Sequence, residues 1–335
     1  MATALARTPA LIDGFGRRID YVRLSVTDRC DLRCVYCMPE RMRFLPRADL
    51  LSIDELAELG ALLIDRGIRR IRLTGGEPLV RPGVLDLIAA LGARIGEGLD
   101  ELTLTTNGTQ LAGAAEALAA AGVKRINVSL DSRDPERFRT ITRGGELARV
   151  LEGIDAAADA DLRVKINMVA LKGLNEDEIG DMLAWCGARE FDLSLIETMP
   201  LGLIEEDRTD RYLPLPEVRA ALEQSFTLIP STHRTGGPSR YFDVAETGGR
   251  IGFITPLTEN FCATCNRVRV TATGTLYPCL GHARKVELRE PLRAYDQSAV
   301  QAALDQALAA KPLAHDFDIA RPAPAVARHM SVTGG

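Results

Sequence analysis

Six short β-type runs alternate with helical patterns through the first two-thirds of this 335-residue chain. The runs are Tyr21–Val26, Arg70–Thr74, Glu101–Thr105, Arg125–Leu130, Arg163–Ala170 and Phe191–Ile196. Apolar residues at helical spacing fill the intervals Ile53–Asp65, Val84–Ile95, Gln110–Ala121, Glu146–Ala158 and Glu176–Cys186. Ser52 with Glu55 three residues on forms a capping-box pattern. Gly67, Gly122 and Gly187 stand where helix C-terminal glycines belong. Strands that alternate with helices pair in parallel through right-handed crossovers. Six such units build either a doubly wound sheet or an incomplete barrel.

The chain changes character after Met199. Pro200, Pro214, Pro216, Pro230, Pro238 and Pro256 punctuate it, with a helix expected near Glu217–Ser225, strands near Tyr241–Val244 and Arg250–Ile254, and a helix over Ala299–Leu308. The expected fold is therefore α/β: an incomplete (β/α)6 TIM-like barrel with a C-terminal α+β region closing the barrel mouth. The expected domains are 1–230 and 231–335. Hydrophobic residues at 46% supply a sizeable core. A net charge of −5 argues against general affinity for nucleic acid or anionic membranes, so any anion site must be a local cluster of Arg and Lys. No apolar run approaches the ~20 residues of a membrane span, and no secretion signal opens the chain. A cytoplasmic, reducing location is the expectation.

Six of the seven cysteines fall into two triplets. Cys30, Cys34 and Cys37 have C-x₃-C-x₂-C spacing directly after the first strand, the end at which α/β folds collect chemistry. Three thiolates can hold three corners of a [4Fe–4S] cluster and leave the fourth iron open; a structural zinc site completed by a distant residue is the alternative. Cys262, Cys265 and Cys279 form the second triplet, for which His282 would be the fourth zinc ligand and a second open cluster the other reading. Cys186 sits alone in an apolar helical pattern and reads as core. Asn127-Val-Ser129 fits a glycosylation sequon but lies on a core strand.

Other polar motifs end the second, third, fourth and sixth strands: Thr74-Gly-Gly-Glu-Pro78, Thr105-Thr-Asn-Gly108, Ser129-Leu-Asp131 and Glu197-Thr-Met199. Paired glycines such as Gly75 and Gly76 admit close approach of backbone to a ligand. All these motifs belong at one mouth of the fold. No phosphate-binding G-x₄-G-K-[ST] loop is present, so a polyphosphate would need side chains such as Arg23, Arg70, Arg72, Lys165, Arg267 and Arg269. Arg267 and Arg269 share a face if their segment is extended.

The first triplet and Gly75-Gly-Glu-Pro78 resemble the signature of the radical S-adenosylmethionine superfamily. With Leu24–Cys30, Ile126–Asp131, Phe261–Arg269 and the terminal Gly334-Gly335 added, nearly the whole chain is similar to the GTP 3′,8-cyclase family. The resemblance implies two [4Fe–4S] clusters, on Cys30, Cys34 and Cys37 and on Cys262, Cys265 and Cys279, with S-adenosyl-L-methionine as cofactor. It implies cyclisation of GTP to (8S)-3′,8-cyclo-7,8-dihydroguanosine 5′-triphosphate, the first step of molybdenum cofactor biosynthesis. By the same resemblance Tyr36, Gly76, Ser129 and Met199 contact S-adenosylmethionine, and Arg23, Arg72, Thr105, Lys165, Arg267, Val268 and Arg269 contact GTP. Gly334 and Gly335 would support catalysis from a tail reaching into the site. An electron donor such as a flavodoxin or ferredoxin and a downstream cyclic pyranopterin monophosphate synthase are the implied partners; a homodimer is compatible with the sequence. One position departs: Ser194 stands where the family commonly has arginine. A peptide-modifying radical enzyme with an auxiliary cluster is the competing enzyme class, and a non-catalytic iron–sulfur or zinc protein the competing non-enzyme.

Overall fold

The computed structural model describes residues 10–204, 208–321 and 323–334. The six expected strands are β1 (Tyr21–Ser25), β2 (Arg70–Thr74), β3 (Glu101–Thr106), β4 (Arg125–Ser129), β5 (Arg163–Val169) and β6 (Asp192–Ile196). Between them lie α1 (Ile53–Asp65), α2 (Val84–Gly92), α3 (Ala115–Ala120), α4 (Pro135–Thr142), α5 (Leu147–Asp159) and α6 (Ile179–Ala188). The capping box at α1 closes: Ser52 Oγ accepts from the Glu55 N–H at 3.1 Å, and the Glu55 carboxylate accepts from the Ser52 N–H at 2.6 Å. Gly67 and Gly122 turn the chain after α1 and α3 with φ of 100° and 85°. Gly187 does not end its helix. It lies inside α6, where an added Cβ would overlap Thr247, and Glu190 makes the turn at φ 56°. Helix α4 was not anticipated. Asp134 caps it by accepting from the Arg137 N–H at 2.7 Å, and Pro135 opens it, but Phe138 and Ile141 are its only strongly apolar residues, too few to mark a helix from the sequence.

The remaining elements are α7 (Arg208–Arg211), α8 (Leu215–Leu222), β7 (Leu228–Pro230), β8 (Arg240–Val244), β9 (Arg250–Ile254), β10 (Arg267–Val270), β11 (Thr275–Tyr277), β12 (Val286–Glu287), α9 (Arg289–Arg293), α10 (Gln297–Ala309) and α11 (Met330–Thr333). Among the described residues all strands join one twelve-stranded sheet in the order β12-β11-β10-β1-β2-β3-β4-β5-β6-β9-β8-β7, which does not close on itself. The eight central strands, β10 through β9, are parallel to their neighbours; the outer strands are antiparallel. The C-terminal region thus extends the sheet at both edges.

A parallel sheet covered on both faces normally has near-continuous apolar strands. These strands instead alternate. Val22, Leu24, Ile71, Leu73, Leu104, Ile126 and Val128 belong to the buried apolar core with Leu56, Leu59 and Leu63 of α1 and Val150 and Ile154 of α5. The intervening residues Arg23, Arg72, Thr103, Asn127, Lys165 and Ser194 are buried and polar. Because successive side chains leave opposite faces of a strand, one face of the sheet is oily and the other is wired with donors and charge. Among the described residues no helix is long and apolar enough to cross a membrane.

Candidate active site

Register places the cations of the polar face side by side. Arg23 of β1 is level with Arg72 of β2 and with Arg269 of β10, and Tyr21 is level with Arg267. Arg23, Arg72, Arg267, Arg269 and Lys165 all line one cavity. Among the described residues none of the five forms an ion pair with a carboxylate, and the Nε atoms of Arg23 and Arg72 have no hydrogen-bond partner. Burial, then repulsion from Arg72, pulls the Arg23 guanidinium down to about 9. Burial together with Arg72 and Arg125 holds Lys165 well below its ordinary value, and its Nζ donates to the Tyr241 hydroxyl at 2.6 Å. Like charges gathered without counter-charge in a cavity define a site for a polyanion.

The same cavity is lined by Cys30, Cys34 and Cys37, whose loop is fixed by the motifs around it. The Gly76 N–H donates to the Thr27 carbonyl at 2.9 Å and the Glu77 N–H to the Arg29 carbonyl at 2.8 Å. An added Cβ at Gly75 or Gly76 would overlap the Thr27 or Arg29 backbone, so both glycines are needed for this approach. Buried Glu77 accepts from the N–H groups of Asn107 and Leu79 at 2.6 and 2.9 Å and from the Thr106 hydroxyl at 2.9 Å. Asn107 Nδ2 lies 3.7 Å from Cys30 Sγ and donates to Asp31 at 2.7 Å. The Tyr36 hydroxyl donates to Asp131 Oδ2 at 2.7 Å, which ties the triplet loop to the end of β4. Burial pushes the Cys30 and Cys37 thiols up, to about 12 and about 11.

Cys262, Cys265 and Cys279 line the cavity from the β10 side. Burial raises the Cys265 thiol, but Arg267 and Lys311 outweigh it and bring the group to about 7. His282 does not join them: its Nε2 donates to the Ala314 carbonyl at 2.9 Å, its Nδ1 lies 3.6 Å from Asp316, and it does not line the cavity. Among the described residues no three His, Cys, Asp or Glu side chains are grouped as a single-ion site. The six cavity thiols are free of disulfides. Soft sulfur donors on three loops of one cavity suit iron–sulfur clusters, and the raised thiols on the first loop lack the positive charge that iron would bring.

Tyr36, Gly76, Thr105, Ser129 and Met199 line this cavity as well. Val268 does not: the pleat turns its side chain into the apolar core while Arg267 and Arg269 face the cavity. Gly334 lies beside Thr74, with φ 76°, and its carbonyl accepts from Arg269; Gly335 lies outside the described residues. Ser194 is fully buried with its Oγ 3.1 Å from Ser239 Oγ, so no cation occupies that place. Cys186 is buried in the core, and Asn127 is buried with its Nδ2 donating to the Leu104 carbonyl at 3.1 Å. Sequence reasoning did not single out Glu77, Asp131, Arg17 or Lys311. The first two were visible inside motifs, while the others carry no local signal.

Residues 24–186 match the Radical SAM superfamily and residues 191–317 match the Molybdenum Cofactor Synthesis C family. The fold is shared with Streptococcus suis SuiB bound to S-adenosylmethionine (TM-score 0.60, 14% identity, 85% of this chain and 67% of that one). It is shared also with anSMEcpe with bound AdoMet (TM-score 0.58, 14% identity, 85% and 80%). At full length the chain is 63% identical to a GTP 3′,8-cyclase of Erythrobacter litoralis (strain HTCC2594), over 97% of this chain and 98% of that one. It is 60% identical to a GTP 3′,8-cyclase of Rhizobium meliloti (strain 1021), over 98% and 95%. The class is that of radical S-adenosylmethionine enzymes. Within it, this chain belongs to the GTP 3′,8-cyclase family.

Proposed function

We propose that the cavity cyclises GTP to (8S)-3′,8-cyclo-7,8-dihydroguanosine 5′-triphosphate, the first step of molybdenum cofactor biosynthesis. The observation that carries this is the row Arg269–Arg23–Arg72, with Arg267 and Lys165, lining the cavity beside both cysteine triplets with no counter-charge among the described residues. A triphosphate relieves their repulsion, and guanidinium forks suit its oxygens.

Cys30, Cys34 and Cys37 would hold a [4Fe–4S] cluster, and Tyr36, Gly76, Ser129 and Met199, which line the same cavity, would hold S-adenosylmethionine. When bound and reduced by an external electron donor, the pair would supply the one-electron hydrogen-abstraction chemistry that activates the ribose. The chain's own residues provide placement. The arginine wall anchors the phosphates, Thr105 faces the same space, and the Gly334 carbonyl and Arg269 fix the tail beside the wall. Cys262, Cys265 and Cys279 would hold the second cluster, which would supply a further metal centre on the β10 side of the cavity.

The sheet is read as an incomplete (β/α)6 barrel whose mouth the C-terminal region covers, with domains 1–230 and 231–335. Supporting this, one cavity is lined from all eight parallel strands, whereas a flat sheet of that many would be about 34 Å wide. A flavodoxin or ferredoxin as electron donor, delivery of product to a cyclic pyranopterin monophosphate synthase, a homodimer and a cytoplasmic location complete the proposal.

The test is anaerobic purification, an iron count, and incubation with reductant, S-adenosylmethionine and GTP. About eight irons per chain, 5′-deoxyadenosine and a cyclised nucleotide are expected. Brisk cleavage of S-adenosylmethionine without GTP consumption would point to a peptide substrate, and bound zinc without cleavage would sink every radical reading.

A further inference from the structure

Lys311 follows α10 and is 3% exposed. Its Nζ donates to the Arg267 carbonyl at 2.8 Å and the Pro278 carbonyl at 2.6 Å, and lies 3.6 Å from Cys265 Sγ. An ammonium has three donors, and these are three acceptors. Arg267 stands two residues beyond Cys265, and Pro278 immediately precedes Cys279. One buried cation therefore ties together the two segments that carry the second triplet.

Its charge balance sets it apart. Arg17 reaches the same region, donating to the Cys262 carbonyl at 2.7 Å, the Pro312 carbonyl at 2.7 Å and the Leu313 carbonyl at 2.8 Å. Asp13 neutralises Arg17 through its Nε at 2.6 Å. Among the described residues no carboxylate does the same for Lys311. A buried ammonium without an anion is costly, and the anionic partner its surroundings offer is the Cys265 sulfur. Hydrogen bonds to cluster sulfurs and local charge set iron–sulfur potentials.

We propose that Lys311 is a positioning residue for the second iron–sulfur cluster: it clamps the Cys265 and Cys279 segments and places a cation on the Cys265 sulfur, raising that cluster's reduction potential. This rests on the second-cluster reading above.

The test compares anaerobically purified wild type with Lys311→Met, which keeps length and loses charge, and Lys311→Arg, which keeps charge. Iron is counted and both clusters are followed by electron paramagnetic resonance during a redox titration. In Lys311→Met the reduced-to-oxidised ratio of the second cluster should fall about tenfold at fixed potential, or about 59 mV for one electron. The first cluster should stay at its wild-type potential, and Lys311→Arg should recover most of the shift. Loss of the second cluster alone from Lys311→Met, with retention in Lys311→Arg, also supports the proposal. A loaded second cluster at the wild-type potential in Lys311→Met overturns it. So does loss of the second cluster from both variants, or loss of both clusters with a lowered melting temperature. If wild type itself holds only about four irons, the second-cluster reading has failed before any variant is measured.

Discussion

The carboxylate of Glu77 accepts the backbone N–H of Asn107 at 2.6 Å, which joins the turn after β2 to the turn after β3. Glu77 also accepts from Leu79 and Thr106, while its own N–H is donated to Arg29 just ahead of the first triplet. One buried residue thereby sets the spacing of three loops around Cys30, two through its carboxylate and the third through its backbone N–H. Glu77→Gln turns one acceptor into a donor facing donors. It should cost about 1–3 kcal/mol of stability, read as a lowered urea midpoint, and should slow S-adenosylmethionine cleavage. An unchanged midpoint would remove Glu77 from this role.

Asp131 makes a pH-dependent prediction. Burial raises its carboxyl to about 6, offset in part by the Tyr36 hydroxyl at 2.7 Å and the Val169 N–H at 2.8 Å. The folded state therefore keeps a proton that the unfolded chain has released. Its contribution is fully present below the carboxyl's ordinary value of 3.8 and is lost as pH rises through about 6. Tyr36→Phe removes a donor from the carboxylate and should push this group higher. The variant's deficit should reach about 1–3 kcal/mol above that pH and shrink below it. Denaturant melts across the range measure this, and a pH-independent deficit would count against it.

The arginine row should trade stability for binding. Arg23 is buried among cations with an unpartnered Nε, so its charge destabilises the ligand-free protein. Arg23→Met should raise the ligand-free melting temperature, by an amount equivalent to about 1–3 kcal/mol. It should weaken GTP by roughly 10–100-fold in calorimetric titration. A variant that loses stability and keeps affinity would contradict the polyanion assignment.

Local sequence made the strands and the triplets legible, since apolar and β-branched runs ended in polar motifs at each place where chemistry collects. The box at Ser52 and Glu55 was readable because both partners lie within one turn. Residues whose meaning depends on distant partners were not. Tyr36 meets Asp131 across 95 positions, and Lys311 meets Pro278 across 33. Likewise the addition of β10 to β1 is a long-range pairing, and it alone turned Arg269 into a neighbour of Arg23. Family resemblance marks the whole stretch Arg267–Arg269, whereas the pleat sends the Val268 side chain to the opposite face from Arg267 and Arg269. Gly187 was misread because Thr247, which requires its small size, is sixty positions away.

The tail offers a separation of stability from activity. At Gly334, φ is 76° and an added Cβ would overlap Thr74 Oγ1, so any side chain must push the tail off β2. Its carbonyl and that of Thr333 are acceptors for Arg269, the latter at 3.2 Å, so displacement frees an arginine of the phosphate wall. Thr333 and Gly334 are buried and the position has a positive φ, so Gly334→Ala should cost about 1–2 kcal/mol of global stability, too little to unfold the domain. Turnover of GTP should fall roughly 100-fold, the order expected when a positioned group moves by about 1 Å. Melting curves and single-turnover assays on the same preparation read the two effects separately. Matching losses in both would mean that the tail serves the fold and not the reaction.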